Sequence, residues 1–332
     1  MKTAVILVNM GGPRDLSEVT AYLEQIFLDP DLIDLPLPRW LRARFARLLA
    51  RRRSDESRKI YEKLGGHTPL TALTQDQAKA LEGRLNEPEP GAFEVFVAMR
   101  YWHPFMEDVW QDVLASGAQR VVFLPLYPFY ATPTTGSIEK LGERLVRESD
   151  FDAKRVFWVR RFGHQPLFQR AMVADIHTAV ERFGMGEASA LLFSAHSIPQ
   201  KRIRKGDPYE QEILDCLSQV QPALPKGLST HLAYQSKVGP IPWLGPATED
   251  VIADLAARGV RRLFLYPFGF VADNSETIYE IGMLYRDLAM GKGVEEVHRI
   301  DALNLNPLFI EALAVAVQET LSLQERCERE VL

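Results

Sequence analysis

The sequence predicts an α/β protein built from two similar doubly wound domains, each a parallel sheet with helices on both faces. Short, continuously apolar runs alternate with longer amphipathic stretches, the pattern of strands buried on both faces. The length of 332 residues suits about two domains of ~150 residues each. The chain also repeats itself, since "SGAQRVVFLPLYPFYATPTTGS" (116–137) is matched by "RGVRRLFLYPFGFVADNSET" (258–277). Each copy has a helix ending at glycine, a short connection, an apolar strand closing in Tyr-Pro-Phe, and a polar segment that opens a helix. Two units sharing only a supersecondary grammar would give the same pattern, and either origin implies two similar domains. The expected boundaries are 1–165, 166–305 and 306–332, the last a helix packing back on the first domain.

In order, the expected strands are 3–10, 93–101, 120–128, 155–162, 190–197, 229–236 and 261–270. The expected helices are 74–85, 104–116, 167–184, 207–219, 247–258, 276–290 and 306–324. In such sheets ligands bind beyond the carboxyl ends of the strands. His196, the turn at residues 9–12 and the segment 273–276 each follow a strand, so they are expected to converge on a cleft between the domains.

Composition narrows the function. With 46% hydrophobic and 25% charged residues the chain reads as a soluble globular protein. A net charge of −5 argues against a nucleic-acid partner. No apolar run approaches the ~18 residues of a spanning helix, and the N-terminus reads as a first strand rather than a signal peptide. Only Cys216 and Cys327 are present, which suits a reducing cytoplasm and excludes a four-thiolate iron–sulfur cluster made by one chain.

The chemistry-bearing stretches begin with "LLFSAHSIP" (191–199). A His on an apolar strand is often a satisfied core residue, but His196 stands at the strand end among small neighbours that leave room for a ligand. Its imidazole can take a proton near neutral pH. In "ADNSETIYE" (272–280), Asp273 and Glu276 fit a helix start, with the acid as N-cap and Glu at N3. Glu276 and Glu280 are also i,i+4, so two carboxylates share one helix face. Carboxylates with an imidazole suit a loosely held first-row divalent metal.

"YQSKVGPIPWLGP" (234–246) is a stiff loop carrying Trp243, which reads equally as a core plug or a ligand wall. "NMGGP" (9–13) lacks the spacing of a nucleotide-phosphate loop. Its glycines allow close backbone approach to something flat, with Met10 as a soft contact. "PRWLRARFARLLARRRS" (38–54) holds seven arginines and no acid between 39 and 53. Leu41, Phe45, Leu48 and Leu49 fall on one helical stripe, which suits either an anionic membrane surface or a core stripe under a solvated arginine face. "AMRYWHPF" (98–105) places Arg100, Tyr101 and His103 past another strand, available to an anionic group.

In combination, "NMGGP", "LGGHTPL", "FSAHSIP", "YQSKVGPIPWLGP" and "DNSET" resemble the ferrochelatase family over about residues 3–320. The resemblance implies two Rossmann-like, chelatase-type domains and insertion of Fe²⁺ into protoporphyrin IX, giving protohaem with release of two protons. It implies His196 as proton acceptor or metal ligand, and Glu276 as the opposed catalytic carboxylate with Glu280 next along the route, so that His196, Glu276 and Glu280 form the metal set. Met10, Arg100, Tyr101 and Trp243 match residues that line the macrocycle pocket. Tyr61 and Thr68 lie where the family contacts a propionate, Arg52 and Arg53 match the pocket lip, and 36–49 matches an apolar lip that meets the membrane. Asp273 and Asn274 support the glutamate motif, where Asn274 replaces a His common in the family and cannot titrate.

Iron is then a substrate, with no resident cofactor and no iron–sulfur cluster expected. The expected location is cytoplasmic, with peripheral contact to the inner face of the membrane through 36–53. The expected arrangement is an imidazole on one face of a bent porphyrin and carboxylates on the other, with strain of ~1–5 kcal/mol drawn from remote contacts. The alternatives are a coproporphyrin ferrochelatase, a cobalt chelatase of a related tetrapyrrole, and a non-catalytic porphyrin or haem carrier.

Overall fold

The computed structural model describes residues 1–33 and 38–330. Residues 36 and 37 of the expected lip and the last two of the expected C-terminal segment lie outside them. Two compact units divide the chain: unit 1 holds Met1–Phe162 with the C-terminal helix from Phe309, and unit 2 holds Gly163–Leu308.

In unit 1 the strands β1 (Thr3–Asn9), β2 (Phe93–Met99), β3 (Arg120–Pro125) and β4 (Val156–Trp158) form a parallel sheet in the order β2-β1-β3-β4. Every residue of β1 is buried, because strands flank it on both edges. The helices are α1 (Val19–Leu28), α2 (Arg39–Lys63), α3 (Leu70–Leu85), α4 (Met106–Ala115) and α5 (Ser137–Arg147). Ala4, Ile6 and Val8 on one face of β1 pack with Trp110 and Val113 of α4 and with Ile138 and Leu141 of α5. Phe123 stacks on Trp158 at 4.3 Å and on Trp110 at 5.9 Å, filling that face with flat apolar area.

Unit 2 repeats the plan. Its strands β5 (Ser189–His196), β6 (Ser229–Gln235), β7 (Arg262–Phe268) and β8 (Glu296–Arg299) run parallel in the order β6-β5-β7-β8. Its helices are α6 (Pro166–Phe183), α7 (Gln200–Arg204), α8 (Tyr209–Val220), α9 (Thr248–Ala257) and α10 (Arg286–Gly291), and α11 (Pro307–Glu330) runs from its end into unit 1. The identical strand order extends the sequence repeat to topology. The repeated prolines fit it: Pro125 and Pro267 lie past the last residues that pair with β4 and β8, so their missing N–H leaves those ladders intact.

Several features differ from the sequence reading. The half-exposed edge strand β8 is additional, because a short polar strand carries little periodic signal, and the helices α1 and α7 are additional too. The helix expected at 276–290 is a π-helix, Glu276–Tyr285, followed by α10, and a shorter π-turn, Thr132–Gly136, precedes α5 at the matching place in unit 1. The basic helix runs on to Lys63, and its stripe is displaced. Ala46, Ala50 and Ser54 are buried, whereas Phe45 and Leu48 are 37% and 51% exposed. Among the described residues, no helix is long and apolar enough to cross a membrane.

Candidate active site

In unit 2 the central strand β5 ends in His196, directly in register with Gln235 at the end of β6. A central parallel strand delivers its last side chain at the sheet's carboxyl edge, which is why a buried apolar run leads to a half-buried imidazole. Three contacts fix it. Nδ1 lies 2.7 Å from the Ser197 carbonyl, and since a carbonyl only accepts, Nδ1 carries the proton. The Tyr209 hydroxyl donates to the His196 carbonyl at 2.9 Å. The Ser197 hydroxyl donates to the Leu244 carbonyl at 3.0 Å.

This leaves the Nε2 lone pair of neutral His196 facing Glu276 Oε2 at 3.7 Å. That is too long for a hydrogen bond. Two ligand atoms each about 2.1 Å from one ion stand about 3.4 Å apart at a tetrahedral angle and about 4.2 Å apart in line. The pair therefore spans a gap that a small divalent cation fits, and a protonated imidazole is equally compensated there by the carboxylate.

Glu276 opens the π-helix, and its backbone is held by Asn274, whose Oδ1 accepts from the N–H groups of Glu276 at 2.8 Å and Thr277 at 3.2 Å. The sequence reading gave that capping role to Asp273, and the structure corrects it. Asp273 instead accepts from Arg299 at 2.6 Å, the Thr277 hydroxyl at 2.7 Å and Asn304 Nδ2 at 2.9 Å, which ties the segment before the π-helix to the end of β8 and the chain beyond it. Asn wins the cap because it sits one residue nearer the helix start and its oxygen accepts two orphan N–H groups.

Glu280 lies behind Glu276. Its Oε1 accepts from the Ser236 N–H at 3.1 Å and the Tyr285 hydroxyl at 2.7 Å, and its Oε2 from the Ser236 hydroxyl at 2.7 Å. Burial first, and then the charge of Glu276, push the Glu280 carboxyl above the ordinary carboxylate range. The Ser236 oxygen is also 3.2 Å from Glu276 Oε2, so one hydroxyl stands between the two acids. Ser236 holds φ +64°, the left-handed region that a non-glycine residue enters at a cost.

The metal set expected from the sequence therefore resolves into a facing pair, His196 and Glu276, and a third acid engaged by Ser236 and Tyr285. Among the described residues, no three His, Cys, Asp or Glu side chains group to hold an ion. The expected opposition across a porphyrin is also corrected. A flat ring needs van der Waals spacing of about 3.5 Å on each side, so groups 3.7 Å apart cannot sandwich it.

Trp243 is half-buried, and its loop is stitched to the segment after His196: Leu244 N–H donates to the Ile198 carbonyl, and Gln200 N–H to that of Pro242, both at 3.0 Å. Its indole N–H donates to the Val238 carbonyl at 3.0 Å.

Unit 1 gathers the second group of expected residues at the ends of β1 and β2. Arg100 N–H donates to the Asn9 carbonyl at 2.8 Å and Tyr101 N–H to that of Met10 at 3.0 Å. Met10 packs against Tyr22, Tyr101 and Trp102. The close approaches at the two "NMGGP" glycines are to protein side chains. A Cβ on Gly12 would stand 2.3 Å from Thr68 Cγ2, and one on Gly11, at φ +86°, 3.0 Å from Met99 Cβ. The Trp102 indole N–H and the Arg14 guanidinium and N–H all donate to Glu18, whose carboxyl Arg14 chiefly holds at about 2.

Arg100 and Tyr101 converge on Asp29, a residue the sequence reading did not single out. The buried Asp29 Oδ2 accepts from Arg100 at 2.8 Å, the Tyr101 hydroxyl at 2.7 Å and the Ser137 hydroxyl at 2.5 Å. Burial, then the charge of Asp29, push the Tyr101 phenol well above its ordinary range. Tyr61 is buried near the end of α2 and Thr68 just beyond it. Arg53, paired with Glu56 at 2.9 Å, and the exposed Arg52 stand about 12 Å or more along the helix from Tyr61. Gln235 and Ser236 were also missed, although they follow a strand end just as His196 does.

Comparison with known proteins completes the description. A family model described as Ferrochelatase matches residues 2–321. A protein named ferrochelatase from Aquifex aeolicus is 40% identical over 313 residues, covering 94% of this chain and 97% of its own length. Another from Geotalea uraniireducens is 40% identical over 321 residues, covering 97% and 98%. A third, from Synechococcus elongatus, is 38% identical over 327 residues, covering 96% and 83%. Among solved structures, SirB from Bacillus subtilis with Fe³⁺ superposes with a TM-score of 0.55 at 13% identity, over 96% of each chain. CbiX, the terminal enzyme for biosynthesis of siroheme in denitrifying bacteria, gives 0.50 at 15%, over 96% and 99%. Both structural likenesses are of fold.

Proposed function

The chain belongs to the ferrochelatase family, an enzyme family of iron insertion into porphyrin in haem synthesis, and from that premise we propose that His196 and Glu276 carry out the insertion of Fe²⁺ into protoporphyrin IX. The single observation that supports this assignment is the 3.7 Å gap between the basic Nε2 of His196 and a carboxylate oxygen.

Two pyrrole N–H protons leave as the metal enters, and the ring must bend to expose its nitrogen lone pairs. His196 Nε2 and a Glu276 oxygen receive the arriving ion; as the ion passes to the ring, the freed Nε2 accepts one pyrrole proton, since its Nδ1–H is committed to the Ser197 carbonyl, hands it to solvent and then takes the second. Glu276 compensates the imidazolium, all from one face of the ring. Glu280, already biased toward its protonated form by burial, stands behind as the next acid. Met10, Arg100, Tyr101 and Trp243 supply macrocycle contacts, Tyr61 and Thr68 a propionate contact, and Arg52 and Arg53 the lip. Iron is substrate, with no resident cofactor and no iron–sulfur cluster.

The preference for protoporphyrin over coproporphyrin rests on the apolar lip. Trp40, Phe45 and Leu48 are exposed on α2 among arginines, and Arg44 stands over the Trp40 ring at 5.8 Å. Such a surface suits a poorly water-soluble substrate and an anionic membrane face, placing a cytoplasmic protein in peripheral contact with the bilayer.

The test is anaerobic metal insertion, followed by the absorbance of protoporphyrin and coproporphyrin side by side with Fe²⁺ or Zn²⁺. His196→Ala keeps porphyrin binding and loses insertion by about 10²-fold or more. Full insertion by that variant would remove the assignment, and retained porphyrin binding without turnover in the unmodified protein would favour a carrier.

A further inference from the structure

Behind the catalytic pair lies a chain of side chains with no solvent exposure at all: Thr248 at the start of α9, Ser194 on β5 and Gln235 at the end of β6. The Ser194 hydroxyl donates to Gln235 Oε1 at 2.7 Å. With that proton committed, the 2.9 Å contact between the Ser194 and Thr248 hydroxyls must run from Thr248 to Ser194. A hydroxyl can donate or accept, so it is the two carboxylates, which only accept, that settle which way the amide faces. Its oxygen points back into the core and its NH₂ points at the acids, 3.5 Å from Glu276 Oε2 and 3.5 Å from Glu280 Oε2. Long as they are, these contacts show which end of the amide meets the carboxylates.

The two ends differ sharply toward a cation. An amide NH₂ has no lone pair to offer, whereas an amide oxygen is a good ligand for hard divalent ions. Turned around, Gln235 would add a third ligand to the His196–Glu276 gap. A substrate ion must be handed on to the porphyrin, and an extra oxygen ligand would deepen the well from which it has to leave.

We propose that Ser194 and Thr248 are positioning residues that lock the Gln235 amide with its NH₂ toward the carboxylates, so that the metal-receiving pair cannot recruit a third protein oxygen. The proposal rests on the reading of His196 and Glu276 as that pair. Loss of the lock raises metal affinity and slows metal release to the ring, without touching the porphyrin contacts.

The experiment titrates Zn²⁺ alone into the full-length protein and measures steady-state Zn²⁺ insertion in parallel. Ser194→Ala and Thr248→Val bind Zn²⁺ about tenfold more tightly, in the range typical of changes to groups that orient metal ligands. Their KM for Zn²⁺ and their kcat both fall, while KM for porphyrin stays unchanged. Thr248→Ser, which keeps the hydroxyl, restores wild-type values, and Gln235→Leu added to Ser194→Ala abolishes the tightening because no amide oxygen remains. Two lock variants at different positions guard against one that misfolds. Unchanged or weaker Zn²⁺ binding in folded Ser194→Ala and Thr248→Val, with His196→Ala still defective, overturns the lock and leaves the pair standing. Normal Zn²⁺ binding and insertion by His196→Ala overturns the pair itself.

Discussion

His196 Nε2 and Glu276 Oε2 face each other across 3.7 Å, with the other imidazole nitrogen tied to its own chain at the Ser197 carbonyl. That spacing leaves no room for a flat ring between them. Glu276→Gln keeps the shape and the π-helix start but loses the charge. It should lower kcat for Zn²⁺ insertion by about 10²-fold with little change in KM for porphyrin. Steady-state rates at saturating porphyrin check this, and full turnover would reduce Glu276 to a helix-start residue.

Ser236 pairs a left-handed backbone, φ +64°, with a hydroxyl shared by two acids. Alanine keeps the backbone strain and loses the hydrogen bonds, whereas glycine loses the bonds and relieves the strain. Ser236→Gly should be about 1 kcal/mol more stable than Ser236→Ala, measured by urea unfolding, with insertion reduced in both.

Gly12 and Thr68 couple through space. A Cβ at residue 12 overlaps Thr68 Cγ2, so Gly12→Ala should cost about 1–3 kcal/mol. Thr68→Ser removes that methyl while keeping the hydroxyl, and the double variant should recover most of the loss. A double-mutant cycle reads the coupling directly, and additive losses would show that the turn is strained by something else.

Asp175 on α6 accepts from Asn306 Nδ2 at 2.9 Å, and burial raises its carboxyl to about 6. The folded state thus holds this proton more tightly than the unfolded chain, whose carboxyl titrates near 3.9. Its stabilising contribution is complete below about pH 4 and is lost as pH rises through the folded value. Asp175→Asn should therefore be more stable than wild type at pH 8, by about 1 kcal/mol once solvent screening is allowed for. That gain should vanish toward pH 4, and thermal melts across this range report it.

Strand–helix alternation and the Tyr-Pro-Phe repeat sufficed for two parallel α/β units, because continuous apolar strands and their glycine-bounded helices are local signals. His196, Glu276 and Glu280 were found for a local reason too: they follow strand ends or share a helix face. Packing between elements is not local, and that is where the reading and the structure part. Which residue caps the π-helix, Asn274 or Asp273, depends on where Arg299 at the end of β8 and Asn304 beyond it come to lie. Which face of α2 is buried depends on the helix it meets, and small Ala46 and Ala50 are buried there while Phe45 is left exposed.

Asp29 lies in no motif, and Ser137, Gln235 and Ser236 lie inside quoted stretches without any chemical signal that singles them out. Their roles exist only once separate strands and helices bring donors and acceptors within reach. Order along the chain specified the frame and named the candidate side chains. The facing of His196 and Glu276, 80 positions apart (276 − 196), and the turn of the Gln235 amide toward the acids arose from contacts that three-dimensional packing alone brings together.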